Sequence, residues 1–361
     1  MKKKANILIT GPINPPAGGI SIHINRLKNL IQNDFNLDFI DESSIVKKDY
    51  FNVRSLDVFT YIKKVIKADL IYIHSGSHLL KKIHIIIGKL FRKKIIITIH
   101  GYKEKKRRPL RKWDRLFYEW ADQVILVNED LVEKINIDKD KCIIQHAFIP
   151  PVLLEEEKLP LYITDKITDA RNNQKVIICA NASRLDHYDH QDLYGLDLSI
   201  EVAKRLHQKN IPFYFVFNVS SLENGKVQYS LSQREIKESN LTNQFWLTNE
   251  KISFVKLIEQ SDIVLRPTNT DGDALTVREA LFMGKETLAS DIIKRPNGTT
   301  VFKTRDLDDL EEKLTHLIHQ VKKGKRKSHE MENEYTYQQF YCNLIKSHTT
   351  LVNEQTVLSR A

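Results

Sequence analysis

SDIVLRPTNTDGDALTVREALFMGKETLASD, residues 261–291, holds a whole strand–loop–helix–strand unit. The apolar run DIVLRP (262–267) ends at Arg266-Pro267, and the polar loop TNTDGD follows it. A helix begins near Ala274, and a second apolar run, ETLAS (286–290), comes after it. Two short buried strands joined through a helix must lie parallel, because the crossover returns the chain to the same end of the sheet. The same rhythm extends outward. KVIICA (175–180), PFYFVF (212–217) and QFWLT (244–248) read as further strands, with helices at about 195–208, 251–260, 274–283 and 307–324.

Toward the N-terminus, PPVLLEEEKLP (150–160) interrupts the alternation with prolines at both ends and an acidic cluster. Before it the alternation runs again through ANILIT (5–10), LDFID (37–41), LIYIH (70–74), IIITIH (95–100), QVILV (123–127) and KCIIQ (141–145). Amphipathic stretches at about 20–30, 55–67, 77–90, 110–121 and 129–136 separate these runs. The pattern predicts an α/β protein of two Rossmann-like parallel-sheet domains facing a central cleft. Its parts are an N-terminal domain (1–152), a linker (153–160), a second domain (161–328) and a C-terminal helix and tail (329–361) free to pack back on the first domain. Ligands of such sheets bind at the carboxyl ends of the strands.

The 361 residues suit two domains. Three cysteines, Cys142, Cys179 and Cys342, are far apart, form no CxxC pair and argue against a zinc ribbon or a disulfide scaffold. They indicate a reduced, intracellular chain. The opening MKKKANILITGP has too short an apolar run for a signal peptide, and no stretch is long enough for a transmembrane helix. The formal charge is +10 and uneven: residues 1–160 carry 29 basic and 19 acidic side chains, while residues 161–361 carry 27 of each.

Several residues sit where chemistry would be expected. Gly18 and Gly19, in PPAGGISIHI (15–24), lie between the first strand and the first helix, where the backbone can approach a phosphate or sugar. The pattern is not GxGxxG, so hydride transfer with a dinucleotide loses support. His100 ends the strand IIITI, and His74 ends LIYI in the same way. Arg184, in ASRLD (182–186), follows the first strand of the second domain, where a guanidinium can grip a diphosphate. In the opening stretch, Asp271 lies in the loop and Glu279 on the helix, so two carboxylates can bracket a polyhydroxyl ligand. Asp273 also suits a helix N-cap, and Asp271 a turn.

TDGDALTVREALFMG resembles the acid–x7–Glu signature of retaining GT-B glycosyltransferases of the family 4 type, where the loop reads Glu-Gly-x-Gly and the helix carries Glu-Ala-x-x-x-Gly. PPAGGISIHI resembles that family's Gly-Gly loop, TIHG its His-containing strand end, and SRLD with YGLDLSIEVAKRL its opening of the second domain. The resemblance covers nearly the whole chain. It implies transfer, with retained configuration, of a sugar from a nucleotide-sugar donor to a glycan or lipid-linked acceptor in polysaccharide or glycoconjugate synthesis. No metal or other cofactor is implied. By match, Glu279 binds the ribose hydroxyls, Asp271 stands at the donor sugar, Arg184 neutralises the diphosphate and His100 lies near the sugar. Gly272, Asp273, Ala274, Leu275 and Thr276 line the donor loop, and Gly18 and Gly19 the phosphate and acceptor side.

The departures are chemical. Asp271 replaces the family's first Glu, and Asp273-Ala274 stands where a glycine would be. The usual diphosphate Lys is replaced by Tyr194, after the insertion HYDHQDL, leaving Arg266 or Arg278 as substitutes. FVFNVSS replaces the family's Gly-rich turn. Two further readings stay open: a GT-B-fold nucleotide-sugar epimerase, and a nucleotide- or carbohydrate-binding protein that has lost catalysis.

The charge excess concentrates in residues 81–112. GYKEKKRRPLRK (101–112) carries Lys103, Lys105, Lys106, Arg107, Arg108, Arg111 and Lys112 against one acid, and Leu110, Trp113, Leu116, Phe117 and Trp120 run beside it at near-helical spacing. Basic plus aromatic is the composition of a membrane-surface segment. The expectation is a cytoplasmic protein, peripheral on the inner face of the cell membrane, with no nucleic-acid partner because no recognised reading motif accompanies the charge.

Overall fold

The computed structural model describes residues 4–15, 18–101, 111–223, 225–271, 274–324 and 334–358. The chain divides into two compact units, Met1–Ile149 with Asn333–Ala361, and Pro150–Glu332.

The first unit alternates strand and helix: β1 (Asn6–Gly11), α1 (Gly19–Ile31), β2 (Asn36–Asp41), β3 (Phe51–Asn52), α2 (Val58–Lys67), β4 (Leu70–Ile73), α3 (His78–Leu90), β5 (Lys94–Ile99), α4 (Arg111–Glu119), β6 (Gln123–Leu126), α5 (Asp130–Ile135) and β7 (Cys142–Ile144). The strands form one parallel sheet in the order β3-β2-β1-β4-β5-β6-β7. Both faces are covered, which is why the central strands are almost continuously Ile, Leu and Val. On one face Leu8, Ile71, Ile97 and Val124 meet Tyr61 and Val65 of α2, Ile85 of α3 and Tyr118 of α4.

The second unit comprises α6 (Leu161–Asn172), β8 (Val176–Ala182), β9 (His187–Tyr188), β10 (Gln191–Asp192), α7 (Leu196–Gln208), β11 (Phe213–Val219), α8 (Lys226–Glu238), β12 (Phe245–Thr248), α9 (Phe254–Glu259), β13 (Ile263–Arg266), α10 (Leu275–Phe282), β14 (Glu286–Ser290), β15 (Thr300–Phe302) and α11 (Leu307–Lys322). Its parallel sheet runs β12-β11-β8-β13-β14-β15. Alternate residues of β8 face opposite ways: Ile178 and Ala180 pack toward α7 and α11, while Ile177 and Cys179 pack toward α6, α9 and α10. The final helix, α12 (Glu334–Leu358), belongs to the first unit, where it packs on α1 and β4 and buries Tyr337, Tyr341, Leu344 and Ile345.

The alternation read from sequence is present, with additions. The insertion HYDHQDL forms a small antiparallel hairpin, β9 with β10. In the segment read as a linker, Leu159 lies against the second unit's core, and Glu156 accepts a 2.7 Å hydrogen bond from Ser253 Oγ. Helices α6 and α8 are also present. α8 buries only Ser232 and Ile236, so it has almost no apolar stripe for the sequence to show.

Each sheet reverses its strand order once, between β1 and β4 in the first unit and between β8 and β13 in the second. At such a point the two crossovers leave toward opposite faces, and a crevice opens beyond the strand ends.

Candidate functional site

In the second unit the reversal point is built from the segments following β8 and β13. β13 ends in Arg266, and the chain turns back so that Asp271 meets it. Arg266 Nε and Nη2 each donate to the Asp271 carboxylate at 3.1 Å. Arg295, from the loop after β14, donates to Asp271 Oδ2 at 2.8 Å, and Thr268 Oγ1 donates to the same oxygen at 3.2 Å. Arg295 also donates to the Ser290 carbonyl at 2.8 Å and to Ser290 Oγ at 3.1 Å. Its side chain is 2% exposed and that of Asp271 7%. Burial by itself would raise the Asp271 carboxyl, but the Arg266 and Arg295 guanidiniums outweigh it and hold the group below the ordinary carboxylate value. Among the described residues, the Arg266 and Arg295 guanidiniums both face the Asp271 carboxylate.

Arg266 rests on an aromatic platform. Its guanidinium carbon lies 5.3 Å from the centre of the Tyr194 ring, and the Tyr194 hydroxyl is 2.6 Å from Ser183 Oγ. Asp192 holds that turn by accepting 2.9 Å bonds from the backbone N–H groups of Tyr194 and Gly195. Gly195 has φ +69° and packs directly on Pro267, bringing the entry of α7 against the exit of β13. Asn269 ties the same loop to the hairpin, its Nδ2 donating to the Tyr188 carbonyl at 3.0 Å.

Helix α10 starts beyond this cluster. Ala274 is its N-cap, with extended backbone and no side-chain cap bond, and Leu275 is its first residue. Thr276 Oγ1 donates to Asn181 Oδ1 of β8 at 3.3 Å, which pins the first turn over the reversal point. Glu279 lies one turn further along and is buried. Arg184 is more than half exposed and pairs with Asp186 at 2.9 Å. Among the described residues, Arg184 lines a cavity of about 430 Å³ with Leu185, His187 and Gln228, apart from the Asp271 cluster. Gly272 and Asp273 lie outside the described residues.

In the first unit, Gly18 precedes α1 in extended conformation, and Gly19 is the helix's first residue. Ser21 Oγ accepts from the Gly18 N–H at 2.9 Å and donates to the Gly18 carbonyl at 3.0 Å. At the reversal point beside it, three imidazoles gather: His23 from α1, His74 just after β4 and His100 just after β5. The nitrogens His74 Nδ1 and His100 Nε2 are 3.2 Å apart, and the ring centres lie 4.9–5.5 Å from one another. His23 Nδ1 is 2.7 Å from the Ala147 carbonyl. Burial, only partly opposed by that bond, lowers His23 to about 4. Burial also takes His74 and His100 well below the ordinary histidine value. Lys103, Lys105, Lys106, Arg107 and Arg108 lie outside the described residues, and only the backbone of Arg111 and Lys112 is described.

The chemistry-bearing residues that sequence reasoning did not single out are Arg295 and His23. Arg295 lies in KRP (294–296), whose one available signal is a basic residue soon after a predicted strand end. His23 was visible within GGISIHI, but its facing partners come from two other strands.

No protein-family model and no curated protein sequence matches the chain. Solved structures do. A glycosyltransferase from Rickettsia africae superposes with a TM-score of 0.69 at 17% identity, over 88% of this chain and 89% of that one. Anabaena HepE, solved in complex with UDP-glucose, superposes with a TM-score of 0.64 at 11% identity, over 99% of this chain and 100% of that one. The lipopolysaccharide outer core galactosyltransferase WaaB gives 0.61 at 12% identity, over 95% and 99%. The likeness is one of fold: two parallel α/β sheets, of seven and six strands.

Proposed function

We propose that this chain is a glycosyltransferase that moves a sugar, with retention, from a nucleotide-sugar donor to a glycan or lipid-linked glycan acceptor. The observation that carries the reading is the cluster at the second unit's reversal point. There a buried Glu279 on α10 lies beyond a strand end that also holds two guanidiniums against one carboxylate. Solved relatives in fold include structures with UDP and with UDP-glucose.

A nucleoside diphosphate leaves as an anion, so positive charge fixed in advance stabilises the transition state more than the ground state. In this reading Arg266 and Arg295 supply that charge, and Arg184 adds to it. Tyr194, standing where the resembled family has Lys, contributes by holding Arg266 flat. Glu279 accepts the ribose hydroxyls, a task for a carboxylate with two acceptor oxygens. The uncapped first turn of α10 faces the diphosphate with its N–H groups. With retention, the acceptor hydroxyl bonds to the anomeric carbon on the face the diphosphate leaves. The acceptor's proton passes to the departing oxygen.

In this reading the acceptor is met at a membrane surface. Trp113 is 58% exposed and Trp120 52%; Trp113 and Leu116 lie on α4, and Trp120 follows directly after it. Leu79 and Leu90 are exposed on the neighbouring α3. Indoles beside a basic segment suit an anionic leaflet, where each Lys or Arg adds about 1 kcal/mol. No helix of the described residues is long and apolar enough to cross a membrane.

A thermal-shift screen of nucleotide sugars identifies the donor. The test of the site is Glu279→Ala, read by calorimetry with that donor's nucleoside diphosphate. Loss of charged hydrogen bonds of this kind weakens binding by about 10- to 100-fold. Unchanged affinity removes Glu279 from the site. Binding without release of nucleoside diphosphate, whatever the acceptor, leaves a binding protein and refutes the transferase.

A further inference from the structure

We propose that His23, His74 and His100 form a binding site in the first unit for a borderline divalent cation of the zinc class. The inference does not depend on the transfer reading.

The donor set is three imidazoles with no carboxylate or thiolate, which suits zinc and its surrogates cobalt and nickel, and suits magnesium or calcium poorly. One ring nitrogen from each residue lies within 4.8 Å of those of the other two. Two nitrogens bound tetrahedrally to one zinc at about 2.0–2.1 Å stand about 3.3 Å apart. His74 Nδ1 and His100 Nε2 already have that spacing, at 3.2 Å. The third nitrogen needs a shift of at most about 1.5 Å, within reach of a χ rotation of an imidazole.

Two details point to a ligand rather than to packing alone. His23 is 1% exposed, yet its Nε2 lacks a hydrogen-bond partner among the described residues. Buried polar atoms are ordinarily paired. In addition, His23 Nδ1 donates to the Ala147 carbonyl at 2.7 Å, which fixes the tautomer and turns the Nε2 lone pair inward. A histidine ligand is commonly oriented in this way, by a backbone carbonyl on its other nitrogen. Each neutral ring keeps one N–H and offers one lone pair, so cation binding requires no net loss of a proton. The proton between His74 and His100 moves to another nitrogen of the same ring.

The placement is tertiary. His23 comes from α1, and His74 and His100 from the ends of two adjacent strands, β4 and β5. His100 is the least buried of the three. Three protein ligands leave a fourth position for water or a ligand group.

The test uses the full chain, untagged and dialysed against chelator, titrated first with Co²⁺. The expected result is one Co²⁺ per chain with the intense ligand-field absorption of four- or five-coordination, displaced stoichiometrically by Zn²⁺. His23→Asn keeps a donor for the Ala147 carbonyl, its Nδ2 standing where His23 Nδ1 is, and removes one ligand. It should weaken Zn²⁺ binding at least about 100-fold while the metal-free unfolding midpoint shows that the variant is folded. Equal affinity in the variant, or cobalt spectra of the hexaaqua type in the wild type, overturns the site. X-ray absorption of the zinc-loaded wild type decides independently of any variant: three imidazole ligands support it, and fewer overturn it.

Discussion

Gly195 offers a sharp test of how the donor-side cluster is assembled. It stands at φ +69°, and a Cβ added there would lie 2.3 Å from the Pro267 carbonyl oxygen and 2.8 Å from Pro267 Cγ. Gly284, after α10, has nearly the same conformation, φ +64°, with nothing within 4 Å of an added Cβ. The pair separates two costs. Alanine at either site meets the left-handed penalty of about 1–2 kcal/mol. At Gly195 it must also displace backbone, and overpacking of this kind costs about 1–3 kcal/mol more. Gly195→Ala should therefore lose about 2–5 kcal/mol and Gly284→Ala about 1–2 kcal/mol. For a unit of this size each kcal/mol lowers the midpoint by about 2–4 °C, so a loss near 3 kcal/mol predicts about 6–12 °C for Gly195→Ala. Scanning calorimetry of the full chain, following the second unit's transition, reads both. Displacing Pro267 also moves the loop that carries Asp271, so nucleotide affinity should fall in Gly195→Ala and hold in Gly284→Ala. Equal losses of stability in the two variants would refute the claim that Gly195 is required by the close approach to Pro267.

Three further outcomes follow from the same geometry. Asp271→Asn leaves two buried guanidiniums without their carboxylate and should cost about 3–5 kcal/mol in urea unfolding at pH 7. The folded-state pKa lies below the ordinary 3.8, so the wild-type advantage is full above that value and disappears as pH falls through the folded pKa. A gap between the two proteins that persists undiminished in strong acid would contradict the assignment. Tyr194→Ala should weaken nucleotide diphosphate binding by about 2- to 5-fold, through loss of the stack beneath Arg266, while Tyr194→Phe retains it. Equal effects of the two would mean that the hydroxyl bond to Ser183, not the ring, matters. Neutralising Lys105, Lys106, Arg107 and Arg108 should reduce sedimentation with anionic vesicles, as should Trp113→Ser with Trp120→Ser. Unchanged binding in both would exclude this face as the docking surface.

The alternating pattern of 5–145 and 175–290 by itself determined the class of fold, because β-branched runs of four to seven residues between amphipathic stretches can be buried in one way: as parallel strands with helices on both faces. It also placed Glu279 and Asp271 on either side of a helix start, since that depends only on local spacing. Helix α6 was not among the helices read from the sequence, although Ile163, Ile167 and Ala170 share its buried face. What the sequence left undetermined is everything that depends on strand order. Arg295 is 24 residues from Asp271 and reaches it only because β14 lies beside β13, so the loops after both strands open at the same end. The Tyr194 ring comes under Arg266 because Gly195 can approach Pro267 across the β8–β13 reversal. The three histidines, at positions 23, 74 and 100, meet because β1, β4 and β5 are consecutive in the sheet. Side-chain periodicity records which residues are buried. Which buried residues meet is set by the order of the strands, and that order is decided by packing of the whole sheet.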